Sequence, residues 1–227
     1  MPIIAEALQK VHERIRAAAE AAGRSPEGIH LLAVSKTKPA AMLREAYAAG
    51  QRAFGENYLQ DALPKMAALA DLDIEWHYIG RIQSNKTREI ATHFSWLHSL
   101  DQLKHARRLS TQRPAGLPPL NCCIQVNLSG EASKGGTSPD DLSVLAHEVA
   151  KLPGLALRGL MTMPDPGSSR ETQSAVFRQL ADLQAELNAG GLSLDTLSMG
   201  MSGDLELAIA AGSNMVRVGT DIFGARE

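Results

Sequence analysis

The sequence predicts an α/β fold, a single (β/α)8 barrel of the TIM type. Short apolar runs of strand length alternate with amphipathic helical stretches along the 227 residues. The strand runs are mostly continuous in apolar character, which is typical of a parallel sheet covered on both faces. About eight such strands in alternation with helices indicate a closed barrel, and an open doubly wound sheet is the alternative.

Helix start and stop signals separate the elements of the first half. Apolar residues from Ile3 to Ile15 recur at helical spacing, and Gly23 ends this N-terminal helix. Pro39 suits the first turn of the helix after the first strand, and Pro64 predicts a kink or break in the next helix. The predicted order is strand 29–35, helix 40–49, strand 51–57, helix 57–70, strand 74–80, helix 84–94 and strand 95–100.

Capping residues mark the helices of the second half. Asp101 is expected to cap one helix, the pair Ser138 and Pro139 opens the next, and Ser202 caps a short helix that Gly212 ends. The order continues as helix 101–112, strand 119–128, helix 140–152, strand 155–163, helix 171–189, strand 196–201, helix 203–211 and strand 214–224. Since no helix follows the last strand, the N-terminal helix is expected to fill that gap, and with no linker-like segment residues 1–227 are expected to form one domain.

The composition favours a cytoplasmic protein that binds neither nucleic acid nor membranes. Hydrophobic residues make up 44% and charged residues 21%, and the formal net charge is −2. No secretory segment and no run of about 18 apolar residues is present. Cys122 and Cys123 are adjacent and cannot form a disulfide framework or a spaced zinc site, so they are interpreted as apolar residues of a strand.

Lys36, at the end of the first strand, is the first candidate for chemistry. Side chains alternate along a strand, so Lys36 enters the barrel mouth if Val34 fills the barrel interior. Desolvation there would lower the pKa of the amine and make it a nucleophile able to form a Schiff base with a carbonyl. A solvated lysine at a strand end is the competing interpretation. Lys38 lies in the turn beyond the strand and is not chosen.

The ends of the last two predicted strands indicate an anion site. Ser202 follows the seventh strand, and Gly219 and Thr220 end the eighth, so backbone amides and a close-approaching glycine meet where barrels frequently bind phosphate. Arg217 shares a strand face with Gly219 and needs partners if it is buried, a structural salt bridge being the alternative. Other polar residues that end strands, and are expected at the same rim, are Asn57, His77, Asn127 and Thr162.

Six motifs together resemble one known family. The stretches LLAVSKTKP, FGENYLQD, WHYIGRIQSNK, GLMTM, LSMGMSGDLELAIAAGS and MVRVGTDIFG look like those of the YggS/PROSC family, the pyridoxal 5′-phosphate (PLP) homeostasis proteins. The match runs in order over nearly the whole chain. That family is similar to the barrel domain of the alanine racemases, which is PLP fold type III, so the resemblance implies a protein that binds PLP.

The resemblance also implies a role for each residue of the site. Lys36 carries PLP as a Schiff base, and Arg217 faces the pyridine nitrogen. His77, in the WHYIG motif, is interpreted as a structural histidine of the barrel core or rim. The implied PLP-binding residues are Lys36, Asn57, Met201 (through its backbone amide), Ser202, Arg217, Gly219 and Thr220.

Two features favour a PLP-binding protein over an efficient PLP-dependent enzyme. A guanidinium only donates hydrogen bonds, so Arg217 would keep the pyridine nitrogen unprotonated and make PLP a weak electron sink. Two-domain racemases take a second acid/base from a separate β-domain, and this sequence ends at Glu227 just after the last strand. We therefore expect a barrel that lacks the C-terminal β-domain, is monomeric, and buffers PLP or delivers it to PLP-requiring apo-enzymes.

Two enzymatic alternatives stay open on the sequence alone. A PLP-dependent amino-acid racemase with weak activity would use the same lysine and phosphate site. A Schiff-base aldolase acting on a phosphorylated sugar would use them without any cofactor. Exchange of the Cα hydrogen of amino acids would support the racemase, and a colourless protein from PLP-replete cells would support the aldolase.

Overall fold

The computed structural model describes residues 3–129 and 135–225. Eight parallel strands close into a barrel in chain order, with the last strand paired to the first. The predicted (β/α)8 barrel is thereby confirmed, and the open sheet is excluded. The strands are β1 His30–Val34, β2 Ala53–Glu56, β3 Glu75–Tyr78, β4 Trp96–Leu100, β5 Leu120–Gln125, β6 Leu155–Met161, β7 Thr196–Ser198 and β8 Met215–Val218.

Helices form the outer ring of the barrel. The N-terminal helix lies against the last two helices and closes the ring, as the sequence predicts. Its apolar stripe is buried there and includes Leu8, Val11 and Ile15. The helices are α1 Ile3–Ala21, α2 Ala40–Ala48, α3 Leu59–Ala68, α4 Thr87–His93, α5 Leu103–Gln112, α6 Pro139–Ala150, α7 Arg170–Ala189, α8 Leu205–Ala210 and α9 Thr220–Phe223.

Two predicted elements differ from the structure. Helix α3 continues through Pro64, which therefore does not end it, because the helix buries Leu59 and Ala62 against the barrel and this packing outweighs the local penalty. The predicted last strand stops at Val218, and Thr220 begins the single turn α9. A helical turn therefore follows the eighth strand, where none was predicted.

The helix caps are partly as predicted. Ser138 accepts a hydrogen bond from the Asp141 amide and caps α6. The expected caps at Asp101 and Ser202 are wrong, because α5 begins after Gln102 and α8 begins after Asp204. Each predicted cap stands too early in the chain to reach the first free amides of its helix.

The barrel interior is filled by inward-facing side chains of alternate residues. Leu32 packs there with Trp96, Cys123 and Met215, while Cys122 belongs to the layer between sheet and helices. Both cysteines are fully buried, in agreement with their interpretation as apolar strand residues. None of the helices within residues 3–129 and 135–225 is long and apolar enough to cross a membrane.

Candidate functional site

A cavity of about 260 Å³ opens at the carboxyl ends of the strands. Every side chain or backbone position that the sequence nominated for cofactor binding lines this one cavity, because in a parallel barrel all strands end on the same side. These residues are Lys36, Asn57, Met201, Ser202, Arg217, Gly219 and Thr220. The apolar part of the lining includes Val34, and the sequence reasoning missed its other members, Ile79, Met161, Met163 and Phe223.

Lys36 lies two residues after the end of β1 and lines the cavity together with Val34, as strand parity predicts. The next residue, Thr37, has a φ of 65°, in the left-handed region that β-branched residues rarely adopt. Such backbone strain costs about 1–3 kcal/mol and is found where a turn must aim a side chain. Lys38 also reaches the cavity, but its Nζ donates to the Ala225 carbonyl at 2.8 Å.

A buried ion pair supports the end of β1 from outside the barrel. Lys65 Nζ donates to Glu56 Oε1 at 2.7 Å and to the Ser35 carbonyl at 2.8 Å. Ser35 Oγ donates to the same carboxylate oxygen at 2.6 Å. Burial raises the pKa of Glu56, and the hydrogen bonds from Lys65 and Ser35 oppose that rise. This cluster ties β1, β2 and α3 together next to Lys36, and sequence reasoning missed it because the contact joins distant parts of the chain.

Asn57 follows β2 and presents a polar side chain at the cavity. Its Oδ1 is buried and has no hydrogen-bond partner among the described residues. A buried acceptor without a donor costs about 1–3 kcal/mol, so an arrangement of this kind calls for a ligand or water that donates to it. The Asn57 backbone packs so closely on Gly80 that a Cβ there would lie 1.9 Å from the Asn57 carbonyl oxygen.

Arg217 extends from β8 into the top of the barrel and is 4% exposed. Its Nη1 donates to the carbonyl oxygen and the Oγ of Ser198 at 2.6 and 2.8 Å, and its Nη2 donates to the Thr162 carbonyl at 3.0 Å. Burial lowers the pKa of Arg217 to about 10, and Asp204 partly opposes that fall, so the guanidinium is cationic at neutral pH. Oxygens of Ser198 and Thr162, rather than a carboxylate, hold this arginine among the described residues, so the salt-bridge interpretation is wrong.

The segments after β7 and β8 form the side of the cavity where the sequence predicts an anion site. Ser202, Gly219 and Thr220 line it, and a Cβ at Gly219 would lie 3.1 Å from the Val34 carbonyl oxygen, so glycine fits here. Met201 lines the cavity too. Its amide donates to Asp204 Oδ1 at 2.5 Å, a hydrogen bond that the sequence did not predict.

Three other polar residues near strand ends do not join the cavity. His77 is 0% exposed inside the barrel, which agrees with its interpretation as a core histidine. Thr162 is buried behind Arg217 and accepts from it. Asn127 is not among the described residues that line the cavity, and its amide donates to the Thr137 carbonyl at 2.9 Å. These three residues therefore do not line the cavity, although Thr162 and Asn127 follow β6 and β5 at the same end of the barrel.

Comparisons with known proteins agree with this geometry. Residues 7–227 match the family described as alanine racemase, N-terminal domain. A pyridoxal phosphate homeostasis protein of Pseudomonas aeruginosa is 63% identical over 227 residues, which is 100% of this chain and 97% of that protein. The structure of PipY from Synechococcus elongatus with PLP bound is 40% identical, with a TM-score of 0.87 over 97% of this chain and 100% of that one.

An alanine racemase shares the fold at a greater distance. The enzyme from Corynebacterium glutamicum is 18% identical, with a TM-score of 0.70. The aligned part is 96% of this chain and 62% of the racemase chain. At this identity the likeness establishes the barrel fold alone.

Proposed function

The chain belongs to the family of the alanine racemase N-terminal domain, and we propose that it is a PLP-binding protein that serves intracellular PLP (vitamin B6) homeostasis. The observation that carries the proposal is one cavity at the strand ends, which combines the amine of Lys36, the guanidinium of Arg217 and the residues after β7 and β8 that suit a phosphate. The homeostasis protein of Pseudomonas aeruginosa and the PLP-bound structure of PipY support it.

The residues of the cavity suit the functional groups of PLP. Lys36 is the amine that would form a C=N bond with the aldehyde, with loss of one water. Ser202, Gly219 and Thr220 provide small side chains, hydroxyls and close backbone approach for the phosphate. The unpartnered Oδ1 of Asn57 is an acceptor that a donor on the ligand would satisfy. When bound, PLP supplies an aldehyde for this linkage and a ring that can withdraw electrons.

We further propose that the protein binds PLP without robust catalysis. Arg217 carries only N–H donors and stays cationic at neutral pH, so it favours an unprotonated pyridine nitrogen and a weak electron sink. Among the described residues that line the cavity, Lys36, Lys38 and Arg217 are the titratable ones. No described aspartate, glutamate, histidine or tyrosine lines the cavity to act as the second acid/base of a racemase.

Borohydride trapping tests the covalent assignment. Purified protein loaded with PLP is reduced, digested and analysed by mass spectrometry, and the pyridoxyl group is expected on Lys36. The Lys36→Ala variant should lose the trapped group, and the Lys38→Ala variant serves as the matched control that keeps it. Trapping at unchanged stoichiometry in Lys36→Ala would refute the role of this lysine, and a wild-type protein that takes up no PLP would refute the function.

An exchange assay distinguishes a PLP-binding protein from an amino-acid racemase. Deuterium exchange at Cα, measured over a panel of amino acids, is expected at the background rate of free PLP. Protein-dependent exchange would show a PLP enzyme instead.

For the proposed delivery of PLP, a loaded monomeric protein should restore the activity of a PLP-requiring apo-enzyme. Light scattering measures whether the loaded protein is a monomer.

A further inference from the structure

A line of polar side chains crosses the interior of the barrel from one end to the other. Glu75 Oε1 contacts His77 Nε2 at 2.8 Å, and His77 Nδ1 contacts His98 Nε2 at 2.9 Å. His98 Nδ1 contacts Ser198 Oγ at 2.7 Å, and Arg217 Nη1 donates to the same Oγ at 2.8 Å. The line therefore starts at the amino end of β3 and ends at the arginine of the cofactor cavity.

The middle of this line is fully buried. His77, His98 and Ser198 are each 0% exposed, although bulky apolar side chains normally fill the interior of such a barrel. Buried polar groups are tolerated only when each one is hydrogen-bonded, because an unsatisfied group in this environment is costly. The outer end, Glu75, is half exposed and lies at a second cavity of about 470 Å³ between the amino ends of the strands.

The direction of every hydrogen bond in the line follows from Glu75 when both imidazole rings are neutral. The Glu75 carboxylate can only accept, so His77 carries its proton on Nε2 and accepts at Nδ1. His98 then donates from Nε2 to His77 and accepts at Nδ1 from the Ser198 hydroxyl, whose Oγ also accepts from Arg217 Nη1.

The charge states of the line agree with this direction. Burial lowers the pKa of His77 and lowers that of His98 further, so both rings are neutral at neutral pH. The hydrogen bond from His77 lowers the pKa of Glu75, so its carboxylate is ionised. Because the guanidinium of Arg217 has no acceptor for a proton, the line ends at that residue and is not a proton path to the cavity.

We propose that Glu75, His77, His98 and Ser198 are positioning residues that form one directed hydrogen-bond chain and hold the guanidinium of Arg217 in place in the cofactor cavity. The effect on bound PLP rests on the proposed PLP site, whereas the geometry of the hydrogen-bond chain depends on the barrel interior alone. The proposal assigns a function to His77, the histidine of the WHYIG motif. It also connects the Glu75 carboxylate, at the opposite end of the barrel, to the cofactor site through hydrogen bonds.

The first test needs no cofactor. Long-range ¹H–¹⁵N spectra of ¹⁵N-histidine-labelled protein distinguish the two neutral tautomers, and single His→Gln variants assign the signals. His77 and His98 are both expected as the Nε2–H form at neutral pH. An Nδ1–H form or a charged ring at either residue would overturn the directed chain.

The second test reverses the outer end of the chain. Glu75→Lys replaces the acceptor by a donor, and the matched control Asp73→Lys makes the same charge change two residues away on an exposed side chain. Glu75→Lys should raise the Nδ1–H population of His98, which the substitution does not touch. It should also shift the visible absorption band of bound PLP and weaken PLP retention roughly 2- to 30-fold, the range of coupling through a chain of contacts.

Asp73→Lys should leave the His98 tautomer, the absorption band and PLP retention unchanged. Glu75→Gln keeps an acceptor oxygen and should keep the wild-type tautomers. An unchanged His98 tautomer and an unchanged absorption band in Glu75→Lys would overturn the role of Glu75. Wild-type protein that shows the expected tautomers but takes up no PLP would refute the proposed function and leave the hydrogen-bond chain standing.

Discussion

Gly80, two residues after the end of β3, is the position where one methyl group should disturb both the fold and the cavity. A Cβ in a Gly80→Ala variant would lie 1.9 Å from the Asn57 carbonyl oxygen and 2.7 Å from its carbonyl carbon. A carbon and an oxygen need roughly 3.3 Å, so these backbones must separate by roughly 1.4 Å. Both segments are anchored, because the Ile79 amide donates to the Glu56 carbonyl at 2.9 Å and Ser99 Oγ donates to the Gly80 carbonyl at 2.5 Å.

The cost of that separation has two parts. Overpacking a close-packed site costs about 1–3 kcal/mol, and one buried backbone hydrogen bond left unmade costs about 1–3 kcal/mol more. We therefore expect Gly80→Ala to lower the free energy of unfolding by roughly 2–6 kcal/mol. The displaced segment carries Asn57, so PLP retention should fall as well.

Urea unfolding followed by circular dichroism measures the first effect, and equilibrium dialysis of PLP at a temperature where the variant stays folded measures the second. Gly116→Ala is the matched control, because its Cβ would meet no atom within 4 Å. It should change the free energy of unfolding by about 0.5 kcal/mol or less. The steric argument fails if Gly80→Ala unfolds at the same urea concentration as Gly116→Ala.

Three more predictions follow from buried titratable groups. Lys65→Met leaves the Glu56 carboxylate buried without its partner, so it should lower the free energy of unfolding, measured in urea, by about 3–5 kcal/mol. Adding Glu56→Gln should restore part of this loss, and wild-type stability in the single variant would contradict the prediction. Because burial lowers the pKa of His77 and His98 below 6.5, the unfolded chain binds protons first, so the free energy of unfolding should fall as pH drops below about 6.5. The slope is at most about 1.4 kcal/mol per pH unit for each histidine. It should flatten in His98→Gln, and an equal slope there would count against the argument. Burial raises the pKa of Cys123 to about 12, so iodoacetamide should label this thiol at neutral pH only in denaturant. Mass spectrometry measures the labelling, and equally fast labelling of the folded protein would refute this prediction.

Much of the cofactor site was predictable because it depends on local patterns. The alternation of side chains along β1 predicted that Lys36 follows Val34 into the barrel mouth. The fold then predicted that the residues after β7 and β8 meet Lys36, since all parallel strands of a barrel end on one side. Helix boundaries were less well predicted, and the caps at Asp101 and Ser202 were wrong because one turn of chain decides which amides are free.

Other features could not be read from any single segment. The Met201 amide is used by Asp204, and the backbone of Asn57 excludes any side chain at Gly80. The ion pair of Glu56 with Lys65 depends on how helix α3 packs behind the strands. No periodicity in the sequence reports contacts of this kind, because their geometry is set by the packing of separate elements.

The sequence by itself determined the alternation of strands and helices, the strand face that Lys36 shares with Val34 and the strand ends that meet at the cavity. These properties follow from the two-residue period of strands and the 3.6-residue period of helices, which each segment carries locally. Only the tertiary structure decided the partners of Arg217 and the route from Ser198 through His98 to His77. Those residues stand on four strands that are far apart in sequence, and the closure of the barrel alone brings their side chains within hydrogen-bond distance.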